Sequence, residues 1–238
     1  MHVALSALAG LVAGPVVHHV AVQAGADLPF AFSASVCRRC GARARLLNRC
    51  PSCGLGTTRP IVTSVATGVV AGLVAWSIGP RWVLGAYLWF VAMTVALFLT
   101  DIDHKRIPNR ITYPGTPIGA LLLAAGAAID GTSTALPRAL FGAVVFGGFF
   151  LLVFVLARGG FGFGDVKLAV PLGLFTAFLS WIHLFLAGMA TAALGGIAAL
   201  GALLGGAGAK SELPYGPPMI LGAWASIVWG SALAGLIF

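Results

Sequence analysis

The sequence predicts an all-α polytopic membrane protein with about eight transmembrane helices and a small four-cysteine loop. Of the 238 residues, 59% are hydrophobic and 8% are charged, whereas a soluble domain carries about 25% charged residues. The apolar residues fall in runs close to the roughly 20 residues that a helix needs to cross a bilayer. Exposing so much apolar surface to water would be unfavourable, so we expect a lipid bilayer to surround the helices.

The basic excess is the second observation behind this fold class. The formal net charge is +8. By itself such a charge would suggest nucleic acid, but the basic residues cluster in a few loops between apolar runs. In that arrangement they set membrane topology and meet anionic lipid. We therefore expect no nucleic-acid partner.

The apolar runs divide the chain into segments separated by short polar loops. The expected helices lie at residues 2–22, 60–79, 82–100, 111–128, 138–157, 166–180, 183–204 and 214–238. Every basic cluster falls on one side of the membrane if both chain termini lie outside. The first segment lacks a basic leader region and a clean cleavage site, so we interpret residues 1–23 as a retained helix. Residues 24–59 form a cytoplasmic loop, and residues 60–238 form the main transmembrane domain.

The loop contains all four cysteines, in two C-x-x-C pairs: Cys37, Cys40, Cys50 and Cys53. Each pair can present two thiolates to one metal, and two pairs make the tetrahedral four-thiolate site that Zn²⁺ prefers. Five arginines between positions 38 and 49 indicate a cytoplasmic loop, where disulfides are rare. We therefore expect a structural zinc ion with no open position for catalysis. Two disulfides or free thiols are the alternatives.

Asp165 lies in a glycine-rich stretch between two apolar runs, and it is one of only six acidic residues in the chain. A carboxylate at the edge of hydrocarbon is costly, which makes it a functional candidate. Gly162 and Gly164 have no side chains, so another backbone can approach Asp165 closely. The alternative is an ion pair of Asp165 with Lys167 or Arg158.

Asp101 and Asp103 lie at the end of another apolar run. Two positions along a helix rotate the side chain by about 200°, so only one of them can face Asp165. Two carboxylates brought together share one proton, one serving as base and the other as acid, which is the chemistry of aspartyl proteases. The other acid would then pair with one of the basic residues that follow it.

Two motifs resemble those of the prepilin peptidases, the type IV leader peptidases. The motifs are Gly162-x-Gly164-Asp165-Val166-Lys167 and the earlier Asp101, seven residues before Pro108-Asn109. These enzymes are membrane-embedded G-x-G-D aspartyl proteases, a group that includes the presenilins. The resemblance extends roughly from residue 60 to the C-terminus, so it implies that residues 60–238 form a transmembrane aspartyl peptidase domain.

The resemblance also implies roles for individual residues. Asp101, rather than Asp103, matches the position of the first catalytic aspartate, and Asp165 matches the second. Substrate-binding or loop-shaping roles are implied for Gly162, Gly164, Lys167 and Pro108. The stretch Pro214-Tyr215-Gly216-Pro217 resembles a Pro-x-Gly-Pro element that would border the site. No cofactor for catalysis is implied.

The implied substrates are pilin-like precursors with a short basic leader followed by an apolar helix. The implied place of cleavage is the cytoplasmic face of the inner membrane. Bifunctional relatives also methylate the new N-terminus, and they carry a Tyr-Pro-x-x-Glu stretch after the cysteines. Here Arg59-Pro60-Ile61-Val62 has no Glu after it, so we expect cleavage without N-methylation.

A non-enzymatic membrane protein that binds or transports metal is the rival interpretation. The four-cysteine loop and the acids at the membrane edge would support it. A transporter, however, needs polar groups near the bilayer midplane. The acids of this chain lie at predicted helix ends, which favours the enzyme.

Overall fold

The computed structural model describes residues 1–27, 35–36, 43–44, 58–156, 162–205 and 214–237. In these ranges the chain forms eight long helices: α1 (His2–Gly25), α2 (Thr58–Ile78), α3 (Leu84–His104), α4 (Asn109–Ile129), α5 (Leu136–Leu156), α6 (Phe163–Leu179), α7 (Trp181–Leu204) and α8 (Gly216–Ile237). One 3₁₀ turn (Ser133–Ala135) precedes α5, and two short strands, β1 (Ser35–Val36) and β2 (Arg43–Ala44), pair antiparallel.

Six of these helices, α1 to α5 and α7, are long and apolar enough to cross a membrane, which confirms a multi-pass membrane protein. The 17 residues of α6 rise about 26 Å, slightly less than the ~30 Å hydrocarbon core of a bilayer. Membrane crossing by α6 and α8 stays a prediction.

The helices run alternately up and down, and several helix ends meet around one polar cavity. The last turn of α1, the end of α3 and the beginnings of α4 and α6 line this cavity, and α8 begins beside the end of α3. The beginning of α2 lies at the same end, because Arg59 forms an ion pair with Asp103 at the end of α3. We call this the aspartate end. Both termini of the described chain lie at the opposite end.

Helix α6 lies in the middle of the bundle, and most of its side chains are buried. It approaches α5 so closely that a β-carbon on Gly142 would overlap Ala177, and one on Gly173 would overlap the Gly142 carbonyl. Small residues permit such close packing between membrane helices. On its other side, Phe175 stacks on Phe90 of α3 with ring centroids 4.4 Å apart. These contacts hold α6 in a fixed position relative to α3, which carries Asp101.

Three predicted helix boundaries are wrong by three or four residues. One is the end of α1, which lies at Gly25 instead of residue 22; the other two concern the aspartates. Helix α3 continues past Asp101 to His104 and ends where Lys105 takes a left-handed conformation, with a φ of 51°. Helix α6 begins at Phe163 rather than Val166, so Asp165 lies in the first helical turn instead of a loop. Hydropathy does not reveal these ends, because polar residues continue the helical hydrogen bonding beyond the apolar run.

Candidate active site

Asp101 lies in the last turn of α3 and is 4% exposed. Its Oδ2 accepts a hydrogen bond of 3.0 Å from the backbone N–H of Gly216, the first residue of α8. The next two residues of α8 are prolines without N–H groups, and Met219 donates its N–H to the carbonyl of Tyr215. The N–H of Gly216 is therefore the donor that α8 offers at its N-terminus, where the positive end of the helix dipole favours an anion.

Asp165 is the third residue of α6 and is 8% exposed. Gly162 is the N-cap residue of α6 and has an extended backbone. The backbone of Gly162 hydrogen-bonds to the Asp165 carboxylate, an arrangement typical of acidic residues at the third helical position. Oδ2 of Asp165 lies 3.3 Å from where a β-carbon on Gly162 would stand. The glycine thus leaves room for the carboxylate to turn back over the helix N-terminus.

Asp101 and Asp165 line the same cavity, which has a volume of about 340 Å³. The other lining residues come from the end of α1, the segment between α3 and α4, and the beginning of α6: Ala24, Gly25, Asp27, Lys105, Arg106, Ile107, Pro108, Asn109, Gly162, Gly164 and Lys167. The structure thus brings together the two predicted aspartates and the four predicted loop-shaping positions. The cavity is large enough for water molecules and a short stretch of polypeptide.

The segment between α3 and α4 is held against α6 by backbone and side-chain packing. Pro108 is the N-cap of α4, and its carbonyl accepts hydrogen bonds from the backbone N–H groups of Ile111 (3.1 Å) and Thr112 (3.2 Å). A β-carbon on Gly164 would lie 3.2 Å from Cβ of the buried Ile107. Pro108 and Gly164 therefore shape the wall of the cavity next to Asp165.

Lys167 joins α6 to α4 at the rim of the cavity. Its ammonium group donates a hydrogen bond of 2.7 Å to Oδ1 of Asn109. It also lies over the aromatic rings of Phe163 and Tyr113, with Nζ 4.8 Å and 5.4 Å from the ring centroids. Such cation–π contacts keep a lysine in place beside the cavity.

Asp103 faces another side of α3. Nη1 of Arg59 contacts its two carboxylate oxygens at 3.0 and 3.3 Å. A separate cavity lies beside this ion pair, and His18 and Thr63 contribute to its lining. The sequence predicts a partner among the basic residues that follow Asp103, but the observed partner Arg59 belongs to α2, 44 residues away. The rotation between positions 101 and 103 of the helix explains why only Asp101 reaches Asp165.

Tyr215 and Gly216 make contacts that the sequence did not predict. The motif placed this stretch near the site, but residue types do not reveal that a backbone N–H is the group that contacts Asp101. The Tyr215 ring packs against Gly195 of α7, where a β-carbon would lie 2.8 Å from the hydroxyl oxygen. Burial raises the pKa of the Tyr215 hydroxyl, and the negative charge of the Asp165 carboxylate raises it further. Tyr215 therefore stays neutral beside the site.

The predicted zinc ligands Cys37, Cys40, Cys50 and Cys53 lie outside the described residues. Within the ranges that the structure describes, no group of three or more His, Cys, Asp or Glu side chains is arranged to hold a metal ion. The zinc site stays a prediction.

Known proteins resemble this chain over most of its length. The sequence profile of the type IV leader peptidase family matches residues 88–200, a range that includes both aspartates of the cavity. A prepilin leader peptidase/N-methyltransferase of Pseudomonas aeruginosa is 31% identical over 219 residues, which cover 84% of this chain and 72% of that protein. Proteins of the same name from Stutzerimonas stutzeri and Dichelobacter nodosus are each 28% identical, over 79% and 85% of this chain and 65% and 73% of their own lengths. No solved structure matches the chain.

Proposed function

Because the chain belongs to the type IV leader peptidase family, we propose that it is a membrane-embedded aspartyl endopeptidase that removes the leader from type IV pilin-like precursors. The observation that carries this proposal is the shared cavity of Asp101 and Asp165, each buried and each hydrogen-bonded to a backbone N–H. Buried acids at a polar cavity are typical of catalytic acid–base pairs.

The two carboxylates hydrolyse a peptide bond with one shared proton. The ionised carboxylate takes a proton from a water molecule, and the resulting hydroxide attacks the scissile carbonyl carbon. The protonated carboxylate hydrogen-bonds the carbonyl oxygen as negative charge develops there. When the tetrahedral intermediate collapses, the C–N bond breaks and a proton passes to the leaving amine. No covalent bond to the enzyme is formed.

The backbone donors hold both carboxylates in position for this reaction. The N–H of Gly216 orients Asp101, and the backbone of Gly162 orients Asp165. Asp165 lies in the first turn of α6, and Asp101, in the last turn of α3, lies against the N-terminus of α8. The dipoles of α6 and α8 stabilise negative charge at these N-termini. This arrangement allows the ionised member of the pair to exist although both acids are buried.

We further propose that the aspartate end faces the cytoplasm and that the chain lies in the inner membrane. Lys105, Arg106, Arg110 and Lys167 belong to the segments at this end. Basic residues beside transmembrane helices are enriched on the cytoplasmic side. A precursor with a basic leader and an apolar helix would then present the peptide bond between them at the level of the cavity.

We also propose that the protein cleaves the leader without methylating the product, and that the cysteine loop binds a structural zinc ion. Thr63 occupies the position, three residues after Pro60, at which the bifunctional pattern has a glutamate. Thr63 donates a hydrogen bond of 2.9 Å to the Arg59 carbonyl and lies 3.2 Å from Nδ1 of His18. Its hydroxyl is thus engaged in local contacts at the beginning of α2. The relatives are also named N-methyltransferases, so a direct measurement of methylation decides whether this protein shares that activity.

The test is a reconstituted cleavage reaction. Purified protein in lipid nanodiscs is incubated with a purified pilin-like precursor, and the products are analysed by mass spectrometry. We expect one cut at the junction of the basic leader and the apolar segment, with no cut by the Asp165→Asn variant. Absence of cleavage by the folded wild-type protein across several such precursors would contradict the proposal.

A further inference from the structure

A second cavity lies further along the helices from the aspartate end, and its lining is almost entirely apolar. Its volume is about 310 Å³, and it lies between α1, α3 and α4. Val16 and Val20 line it from α1, Met93 from α3, and Pro114 and Ile118 from α4. We call this cavity the apolar groove. A molecule bound in this groove would contact mainly hydrocarbon.

The apolar groove and the cavity that holds the aspartates are lined by residues of the same three helices. On α1, Val20 lines the groove and Ala24, one turn later, lines the aspartate cavity. On α3, Ala96 lines the groove and Asp101 the aspartate cavity, about 7.5 Å further along the axis. The two cavities therefore follow one another from the polar surface into the membrane.

Arg110 marks the level at which the groove meets that surface. It is exposed, it lies in the first turn of α4, and it is the one charged residue among the described residues that line the groove. A guanidinium group is costly in hydrocarbon and remains near the membrane interface. The rest of the groove, down to Ile118, extends about 12 Å along α4 below this level.

The groove has a lateral margin between α1 and α4. Helix α1 packs against α2 and α3, whereas its contact with α4 is marginal at most over the described residues. Val16 on α1 and Ile118 on α4 are 45% and 41% exposed at this margin. A segment within the bilayer can thus reach the groove sideways, without passing through water.

Resting on the proposed function, we infer that the apolar groove binds the first turns of the precursor's apolar segment, directly after the scissile bond. Between membrane helices the attraction comes from close packing rather than from the hydrophobic effect. The small residues Ala13 and Ala92 in the groove lining allow an incoming helix to approach closely. A helix packed there continues upward into the aspartate cavity, which brings its first peptide bond to the two acids. Nothing in the chemistry of a lipid acyl chain favours a position in line with the two acids.

Photo-crosslinking tests the occupant directly. Benzoyl-phenylalanine replaces Val16 in the Asp165→Asn protein, which retains uncleaved precursor, and the matched control has it at the exposed Ala4. Position 4 is separated from the groove-lining positions 13 and 16 by about 900° and 1200°, which leaves it about 180° and 120° away from them around the helix axis, so Ala4 faces away from the groove. We expect an adduct with the apolar segment of the precursor from position 16 and none from position 4. Lipid adducts alone at position 16, or equal precursor adducts at both positions, would overturn the inference.

Filling the groove provides the kinetic test. Ala13→Trp is compared with Ala4→Trp, on a full precursor and on a short peptide that spans the cleavage site but lacks the apolar segment. We expect Ala13→Trp to lower kcat/KM for the full precursor by about tenfold or more through KM, with the short peptide within about twofold of wild type. We expect Ala4→Trp to behave as wild type with both.

The outcomes separate this inference from the proposed function. Cleavage of the full precursor by Ala13→Trp at the wild-type rate, or an equal loss on both substrates, would overturn the groove assignment alone. A wild-type protein that cuts neither substrate would instead contradict the proposed function.

Discussion

The backbone N–H of Gly216 donates a hydrogen bond of 3.0 Å to Oδ2 of Asp101, although 115 positions separate the two residues in the chain. A β-carbon on Gly216 would lie 2.6 Å from that oxygen. The beginning of α8 therefore determines where the Asp101 carboxylate lies, and only glycine leaves room for it there.

The substitution Gly216→Ala should displace the Asp101 carboxylate. We expect cleavage to fall about a hundredfold while the protein remains folded, because a displacement of about 1 Å in a catalytic group can cost that much. Leader cleavage by purified protein measures the effect. Gly196→Ala in α7 is the matched control, since a β-carbon there meets nothing within 4 Å. Wild-type activity of Gly216→Ala would show that this hydrogen bond does not position Asp101.

Asp101→Asn and Asp165→Asn should each lower kcat for leader cleavage by about a thousandfold or more, because each variant loses one half of the acid–base pair. Protein abundance in the membrane should remain unchanged. Gel mobility of a co-expressed precursor gives a first measurement, and purified components give the rate.

Asp103→Asn is the control for both substitutions. Its ion pair with Arg59 involves a base that is 63% exposed, and such pairs contribute about 0–1 kcal/mol. We therefore expect activity within about threefold of wild type. An inactive Asp103→Asn protein together with an active Asp101→Asn protein would reverse the assignment.

The purified protein should contain about one zinc ion per chain, bound by Cys37, Cys40, Cys50 and Cys53. Each Cys→Ser substitution should release the metal and destabilise the loop, with a smaller loss of cleavage than in the aspartate variants. Elemental analysis measures the zinc, and thiol titration provides the control. A protein without zinc but with two disulfides would exclude the metal site and would also place the loop on the oxidising side of the membrane.

The mature product should carry an unmethylated N-terminal amine, even when S-adenosylmethionine is supplied. The reason is that Thr63 stands where the bifunctional pattern has its glutamate. Mass spectrometry of the product measures the modification, and a bifunctional relative incubated with the same precursor is the positive control. A mass increase of one methyl group that depends on this protein would show that other residues perform the transfer.

The sequence alone predicted the class of the protein and its two acids. Helix number and approximate position follow from runs of apolar residues, and these are local properties of the chain. Asp101 and Asp165 are predicted as partners because both lie at helix ends on the same predicted side of the membrane. Their shared cavity agrees with that pairing. The cysteine loop rests on spacing alone, and it lies outside the described residues.

Tertiary structure decided the contacts between distant segments. The partner of Asp103 is Arg59 in another helix, and the donor to Asp101 is a backbone group of Gly216. The apolar groove likewise arises from three helices whose side chains meet only after packing. Composition and periodicity report whether a residue can lie in a membrane helix. They do not report which faces of two helices meet, because that depends on close packing over the whole bundle.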